Sequence, residues 1–263
     1  MRVVIQENYD KMSKWTANYI AKKINDHKED RPFVLGLPTG SSPIGVYEEL
    51  VRMNKAGEVS FANVVTFNMD EYVGLPREHD QSYWYFMHYY FFDHLVDMKP
   101  ENINILNGLA EDLEAECARY EAKIASYGGI DLFMGGIGVD GHLAFNEPFT
   151  SLTSRTGLRT LTTDTRIVNS RFFDNDPEKV PAYALSVGIG TVTDAKEVII
   201  LINGHNKARA LAKSVEGNVS QKWTCSALQM HPAAIIACDE SACDELTVGA
   251  YKYFLDVEKS ERL

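Results

Sequence analysis

Long apolar runs are absent from this 263-residue sequence, and no stretch approaches the length of a membrane-crossing helix. The N-terminal MRVVIQENYD likewise holds no apolar block of signal-peptide size, so a cytoplasmic protein with no membrane partner is expected. Basic residues are the scarcer charge, 26 Lys and Arg against 37 Asp and Glu, for a formal net charge of −11. That balance argues against nucleic acid or an anionic bilayer surface as the main partner. It leaves room for an anionic small molecule, because a few cations can dominate one cleft. Cysteine is sparse too. Cys117, Cys225, Cys238 and Cys243 lack the close pairs of a metal site, and reduced, mostly buried thiols are expected. Linkers, internal repeats and low-complexity blocks are missing, which favours one domain over residues 1–263. A chain of this length, 45% hydrophobic, can bury a sizeable core.

Against these absences stands one dense stretch, Ile130 to Pro148, IDLFMGGIGVDGHLAFNEP. It opens as a buried strand over Ile130–Met134 and breaks on Gly135, Gly136, Gly138 and Gly141. It then presents Asp140, His142 and Glu147, three groups able to move or steer protons. Other strands are expected at Met1–Gln6, Phe33–Leu37, Val64–Phe67, Val198–Ile202 and Ala233–Cys238. Helical stripes run through Met12, Tyr19 and Ile20, through Ile44, Tyr47 and Leu50, and through Leu113, Cys117, Tyr120 and Ile124. The aromatic-rich Gln81–His94 reads as a helix packed into the core, with His88 and His94 structural. Alternation of strand and helix predicts an α/β fold, a modified doubly wound, mostly parallel sheet with helices on both faces. Periodicity weakens from Thr150 to Pro181, where a lid segment (about 150–181) is expected, with a short helix near Arg166–Phe173.

In such a fold ligands bind beyond the carboxyl ends of the strands. After Phe33–Leu37, the run PTGSSPIGVYEEL sets Gly40, Ser41 and Ser42 ahead of Pro43 and a helix. Free N–H groups and the positive helix end suit a phosphate there; a serine-capped helix with no ligand is the alternative. The loop is no Walker motif, being one residue short between glycines and lacking the lysine. After Val64–Phe67 come Asp70 and Glu71. Acids are costly to bury at a strand end, and one of the two is expected to cap the next segment while the other works. Lys207 falls in the first turn of the helix after Asn203-Gly204, against the dipole. It answers either to an anionic ligand or to solvent.

Three chemistries compete for the central loop. Gly136-x-Gly138-x-x-Gly141 spells the dinucleotide fingerprint, but the chain after it reads as irregular and no acidic strand end follows at the right interval. Asp140, His142 and Glu147 could ligate a metal, though their spacing fits no standard motif. Acid–base chemistry fits better: an imidazole changes charge near neutral pH, and flanking carboxylates orient it. With Asp70 added, the set suits proton transfer beside a sugar carbonyl, an aldose–ketose type of step. Ser41, Ser42, Arg171 and Lys207 would suit the phosphate of a sugar phosphate.

Taken together, LGLPTGSSP, TFNMDEYVGLP, GGIGVDGHLAFNEP, SRFFDND and NGHNKARAL resemble the glucosamine-6-phosphate deaminases over essentially the whole chain. The resemblance implies conversion of glucosamine 6-phosphate and water into fructose 6-phosphate and ammonia in amino-sugar catabolism, with no cofactor and no metal. It implies Asp70 as the base that moves a proton from C2 to C1. It makes His142, held by Asp140 and Glu147, the promoter of ring opening. Ser41, Ser42, Arg171 and Lys207 would hold the phosphate, with Thr39 and Gly40 shaping the loop, and the assembly would be a homo-hexamer. Departures lie at Val139, at Phe149-Thr150 and above all at Gly157 in SRTGLRTL, where the family pattern has arginine. By resemblance, Thr150, Gly157, Arg159, Thr160 and Tyr253 correspond to a site for the activator N-acetylglucosamine 6-phosphate at a subunit interface. A lost charge-assisted contact contributes about 1.5–3 kcal/mol, so activation is expected to be weak or absent. The rival readings are a 6-phosphogluconolactonase and a sugar-phosphate sensor without turnover.

Overall fold

The structure, a computed structural model, describes residues 1–260. The apolar blocks form strands: β1 (Arg2–Gln6), β2 (Phe33–Leu37), β3 (Val64–Asn68) and, past Met69, β4 (Asp70–Tyr72). Then follow β5 (Ile103–Asn104), β6 (Leu132–Gly136), β7 (Gly157–Thr160), β8 (Tyr183–Ser186), β9 (Glu197–Ile202) and β10 (Ala234–Asp239). Seven of these build one sheet in the order β1-β10-β9-β6-β2-β3-β5, every pair parallel. Its strands are covered on both faces, which is why they read as unbroken apolar runs.

The helices are α1 (Tyr9–Asp26), α2 (Ile44–Lys55), α3 (Tyr83–Tyr90), α4 (Leu113–Ser126), α5 (Thr163–Asn169), α6 (Ile189–Thr193), α7 (Ala208–Val215) and α8 (Val248–Ser260). Successive strand residues point to opposite faces, so each strand feeds two cores. Leu132, Met134 and Ile199 pack with Met12 and Ile20 of α1 and Tyr47 and Leu50 of α2. Phe133 and Ile200 pack with Cys117, Tyr120 and Ile124 of α4 and Leu211 of α7. The chain leaves β2 towards β3 and β5 on one side, and leaves β6 towards β9 and β10 on the other. The two strands are neighbours, so the loops beyond their carboxyl ends flank the crevice where such sheets bind ligands.

Two expectations need correction. The aromatic helix exists, but α3 fully buries only Met87; Tyr85 and Tyr89 are exposed, while Phe91 and Phe92 just beyond its end are buried. Eight residues offer only one inward face, too narrow for every ring in the segment. Its histidines are structural: His88 stacks on Trp84 and meets Asp93 at 2.7 Å, and His94 Nε2 lies 2.8 Å from the Tyr89 carbonyl. The second correction is that a small antiparallel sheet, β4-β8-β7, stands apart from the large one. β7 carries GLRT, half-buried and exposed by turns, and offers no apolar run to mark it. The short lid helix begins at Thr163, earlier than expected, because the Thr162 hydroxyl accepts from Thr165 N and caps it.

Candidate active site

β6 delivers the glycine-broken loop to the crevice. A Cβ on Gly138 would fall 2.4 Å from a ring carbon of His142 and 2.7 Å from Asp140 Oδ1, so only glycine lets the loop fold its own imidazole and acid back over itself. Gly138 N donates to the His142 carbonyl at 2.9 Å, and the following chain is irregular, as a dinucleotide loop would not be. His142 Nδ1 lies 2.8 Å from Asp140 Oδ1 and 3.8 Å from Glu147 Oε2. Neither contact is a well-aligned hydrogen bond: buried Nδ1 and Glu147 Oε2 both lack one, and the ring lies between the two acids. Burial works to raise the Asp140 carboxyl, but the adjoining His142 ring outweighs it and holds that acid below its ordinary range. Glu147 Oε1 accepts from the hydroxyls of Thr165 (2.5 Å) and Thr162 (3.2 Å), which ties the start of α5 to the imidazole. Asp140, His142 and Glu147 each offer a ligand atom within 4.8 Å of the others, a set that would also fit a divalent cation.

Asp70 reaches the same place through the small sheet. It sits opposite Ser186 in the β4–β8 pairing, and the Ser186 hydroxyl accepts from Phe145 N at 3.0 Å. The glycine-broken loop and Asp70 therefore hang on one buried serine. Asp70 is 7% exposed and accepts no hydrogen bond from a described residue. Burial first, and the Glu71 charge second, push its carboxyl from 3.8 up to about 8. Glu71 is the structural member of the pair, accepting from the N–H groups of Tyr72 and Tyr83 (2.9 Å) and Trp84 (2.8 Å) at the start of α3. Tyr72, Tyr83 and Phe145 pack in one cluster with rings 4.8–6.1 Å apart, and the Tyr83 hydroxyl meets Thr39.

The serine loop does not cap its helix. Pro43 is the N-cap of α2, with no side-chain hydrogen bond. Ser42 Oγ instead donates to Asn203 Oδ1 at 2.6 Å and accepts from Lys207 Nζ at 3.1 Å. Ser41 is exposed, its carbonyl accepting from the Tyr9 hydroxyl, and Gly40 turns the loop at φ +93°. Lys207 is not a solvated lysine: burial, then the nearby Arg171 charge, pull its ammonium down to about 8, with Asp239 only partly offsetting them. Arg171 arrives from the turn after α5. Among the described residues neither cation makes an ion pair, and Lys207 on the Ser42 hydroxyl with the Arg171 charge near it is an arrangement able to receive an anion.

Of the expected activator residues, Gly157, Arg159 and Thr160 share β7, and Thr150 N donates to the Glu147 carbonyl at 3.1 Å. Tyr253 lies elsewhere in the chain, 62% exposed on α8 and lining a cleft with Met1, Tyr19 and Glu258 beside β1. Several supporting residues carried no readable signal. Thr224 Oγ1 accepts from Leu143 N and lies 3.1 Å from the Asn146 carbonyl, and Cys225 N donates to the Gly141 carbonyl, so this distant segment brackets His142 on both sides. Asn203 alone could have been found, as the polar residue ending an apolar strand run.

A doubly wound α/β protein with an acid–imidazole–acid loop and an anion pocket at its switch point is the class that fold and site define. Residues 7–244 match the family described as glucosamine-6-phosphate isomerases/6-phosphogluconolactonase, and the chain belongs to it. The sequence is 64% identical over 261 residues to the glucosamine-6-phosphate deaminase of Parabacteroides distasonis, covering 98% of this chain and 96% of that protein. Identity to the glucosamine-6-phosphate deaminase of Phocaeicola vulgatus is 65% over 262 residues, 99% of each. Among solved structures, a monomeric glucosamine-6-phosphate deaminase matches with a TM-score of 0.88 at 41% identity, over 92% of this chain and 98% of that one. The 6-phosphogluconolactonase from Trypanosoma cruzi matches at 0.73 with 16% identity, over 94% and 97%, a likeness of fold alone.

Proposed function

We propose that this chain converts glucosamine 6-phosphate and water into fructose 6-phosphate and ammonia. The observation that carries the reading is a buried Asp70, raised to about 8 and following β3, beside loops after the neighbouring parallel strands that bring Ser42, Lys207 and the Arg171 charge together. Relatives more than 60% identical that bear the deaminase name support the choice of substrate. His142, oriented by Asp140 and Glu147, passes a proton between the ring oxygen and the anomeric hydroxyl, opening the sugar to its aldehyde. The C1 carbonyl acidifies the C2 hydrogen, and the Asp70 carboxylate removes it. A base with a pKa near the working pH balances the fraction ionised against basic strength. Returning that proton to C1 leaves an imine at C2; water adds there and ammonia departs, so the net step is hydrolysis of the C2–N bond with aldose–ketose rearrangement. Thr39, Gly40, Ser41, Ser42, Arg171 and Lys207 hold the phosphate end.

The proposal includes turnover without metal or cofactor, one domain over 1–263 with 150–181 as its lid, a cytoplasmic setting, a homo-oligomeric assembly, and weak or absent activation by N-acetylglucosamine 6-phosphate at Thr150, Gly157, Arg159, Thr160 and Tyr253. Purified protein is assayed for ammonia and fructose 6-phosphate with a chelator present, with and without the activator. Stoichiometric product supports the reading; no product overturns it, and hydrolysis of 6-phosphogluconolactone would move the chain to the other branch of its family. Loss of turnover with chelator alone would transfer Asp140, His142 and Glu147 to a metal. Sedimentation velocity reads the assembly, a monomer contradicting the oligomer.

A further inference from the structure

Gly157 poses a question that its backbone does not answer. It sits inside β7, paired with Ser186, and its φ lies outside the left-handed region, so nothing about the chain path requires glycine. Glycine in a strand weakens it, since it adds no packing and loses the most freedom on folding. What a side chain at 157 would displace is Arg159, the mobile end of a long side chain rather than backbone. A Cβ at residue 157 would come 2.8 Å from Arg159 Nη1, and the next nearest atoms are Arg159 Cζ at 3.7 Å and the Arg155 carbonyl at 3.8 Å. The guanidinium lies in the space a side chain at 157 would occupy.

Each nitrogen of the Arg159 guanidinium, held there, makes one hydrogen bond. Nε donates to Asn146 Oδ1 at 3.0 Å, Nη1 to the Leu158 carbonyl at 3.2 Å and Nη2 to the Arg155 carbonyl at 2.7 Å. It makes no ion pair among the described residues, and burial lowers its pKa. Asn146 is wholly buried in the catalytic loop, next to Glu147. Its Nδ2 donates to the Leu143 and Val187 carbonyls, both at 2.8 Å, which spans the loop and fastens it to the end of β8. Only its Oδ1 depends on groups of the lid side, Arg159 Nε and, at 3.4 Å, Ser154 Oγ.

We infer that Arg159, folded into the gap left by Gly157, is a permanent strut that fixes Asn146 and through it the His142–Glu147 segment of the catalytic loop. Arg159 is a positioning residue, touching no reacting group. The glycine and the arginine act as one device: residue 157 matters only because of where it lets residue 159 lie. The catalytic consequence rests on the deaminase reading; the mechanical one does not.

The test is a double-mutant cycle on the full chain with Gly157→Val, Arg159→Met and both together, since valine suits a strand and would be neutral or stabilising if no guanidinium stood in its way. With glucosamine 6-phosphate, each single variant is expected to lower kcat about three- to tenfold, less than the full contribution of one charge-assisted hydrogen bond because Arg159 acts only through Asn146, with KM changed less than twofold. Adding Gly157→Val to Arg159→Met should change nothing further, and Gly157→Ala should be milder than valine. Multiplying effects, or an unaffected kcat in Gly157→Val, would overturn the strut. Hydrogen exchange over residues 141–149 gives a readout without turnover: both single variants should exchange faster there than wild type. Faster exchange in an enzyme with no deaminase activity would uphold the strut and sink the reaction; unchanged exchange with full activity would do the reverse.

Discussion

Replacing Asp70 by asparagine should abolish turnover and make the protein more stable, by an amount that grows with pH. The wild-type carboxyl titrates at about 8 in the fold against 3.8 for the free group. Between those values the folded chain binds a proton that the unfolded chain has released, so the stabilising contribution is complete below about pH 4 and is lost as pH rises through 8. At about 1.36 kcal/mol per pH unit, the interval from pH 5 to pH 8 carries an upper limit of about 4 kcal/mol. Water reaching the ionised carboxylate from the crevice relieves part of that penalty. About 2 kcal/mol or more should remain. Asparagine keeps the shape and has no charge to desolvate, so its stability lacks this slope. Urea unfolding of both proteins at pH 5 and pH 8.5 isolates the effect, because titrating groups that do not interact with Asp70 cancel in the double difference and Glu71 is the neighbouring acid coupled to it. The variant should gain about 2–4 kcal/mol on wild type between the two pH values, while kcat falls at least about a hundredfold. An advantage that is flat or shrinks with pH would mean that Asp70 is not held in a desolvated state, and the assignment of the base would lose its physical ground.

Other tests reach different parts of the site. Lys207→Met removes one of two facing cations, and the apparent KM for the sugar phosphate should rise at least about tenfold with a smaller change in kcat; an unchanged KM would place the phosphate elsewhere. Free Lys207 is half-neutral near pH 8, and an anion beside it favours the charged form, so binding inorganic phosphate should take up a proton and weaken above pH 8. Calorimetry in buffers of different ionisation enthalpy measures that uptake, and a buffer-independent enthalpy would contradict it. Glu71→Ala strips the N–H groups of Tyr72 in β4 and of Tyr83 and Trp84 at the start of α3 of their acceptor and should cost about 2–4 kcal/mol in urea unfolding. A loss below about 0.5 kcal/mol would show that water replaces the carboxylate there.

The sequence by itself determined six of the seven strands of the large sheet, because strands covered on both faces must be apolar throughout, while the two-residue β5 is too short to leave a pattern. The sequence also singled out the residues proposed for chemistry: Asp70, Asp140, His142 and Lys207 are residue types that a core excludes, placed where strands end. That Glu71 rather than Asp70 would cap a helix was open in the sequence, since both are acids at one strand end. Burial and three nearby N–H groups decided it. Tertiary structure alone made β4, β7 and β8 a sheet, because half-exposed strands of mixed polarity take their pairing from partners far along the chain. The same holds for Thr224 beneath His142, for Thr162 and Thr165 on Glu147, and for Arg159 on Asn146. A hydrogen bond between residues 13 to 81 apart leaves no periodicity to read, and a buried threonine or asparagine looks like any other until the fold supplies its partner.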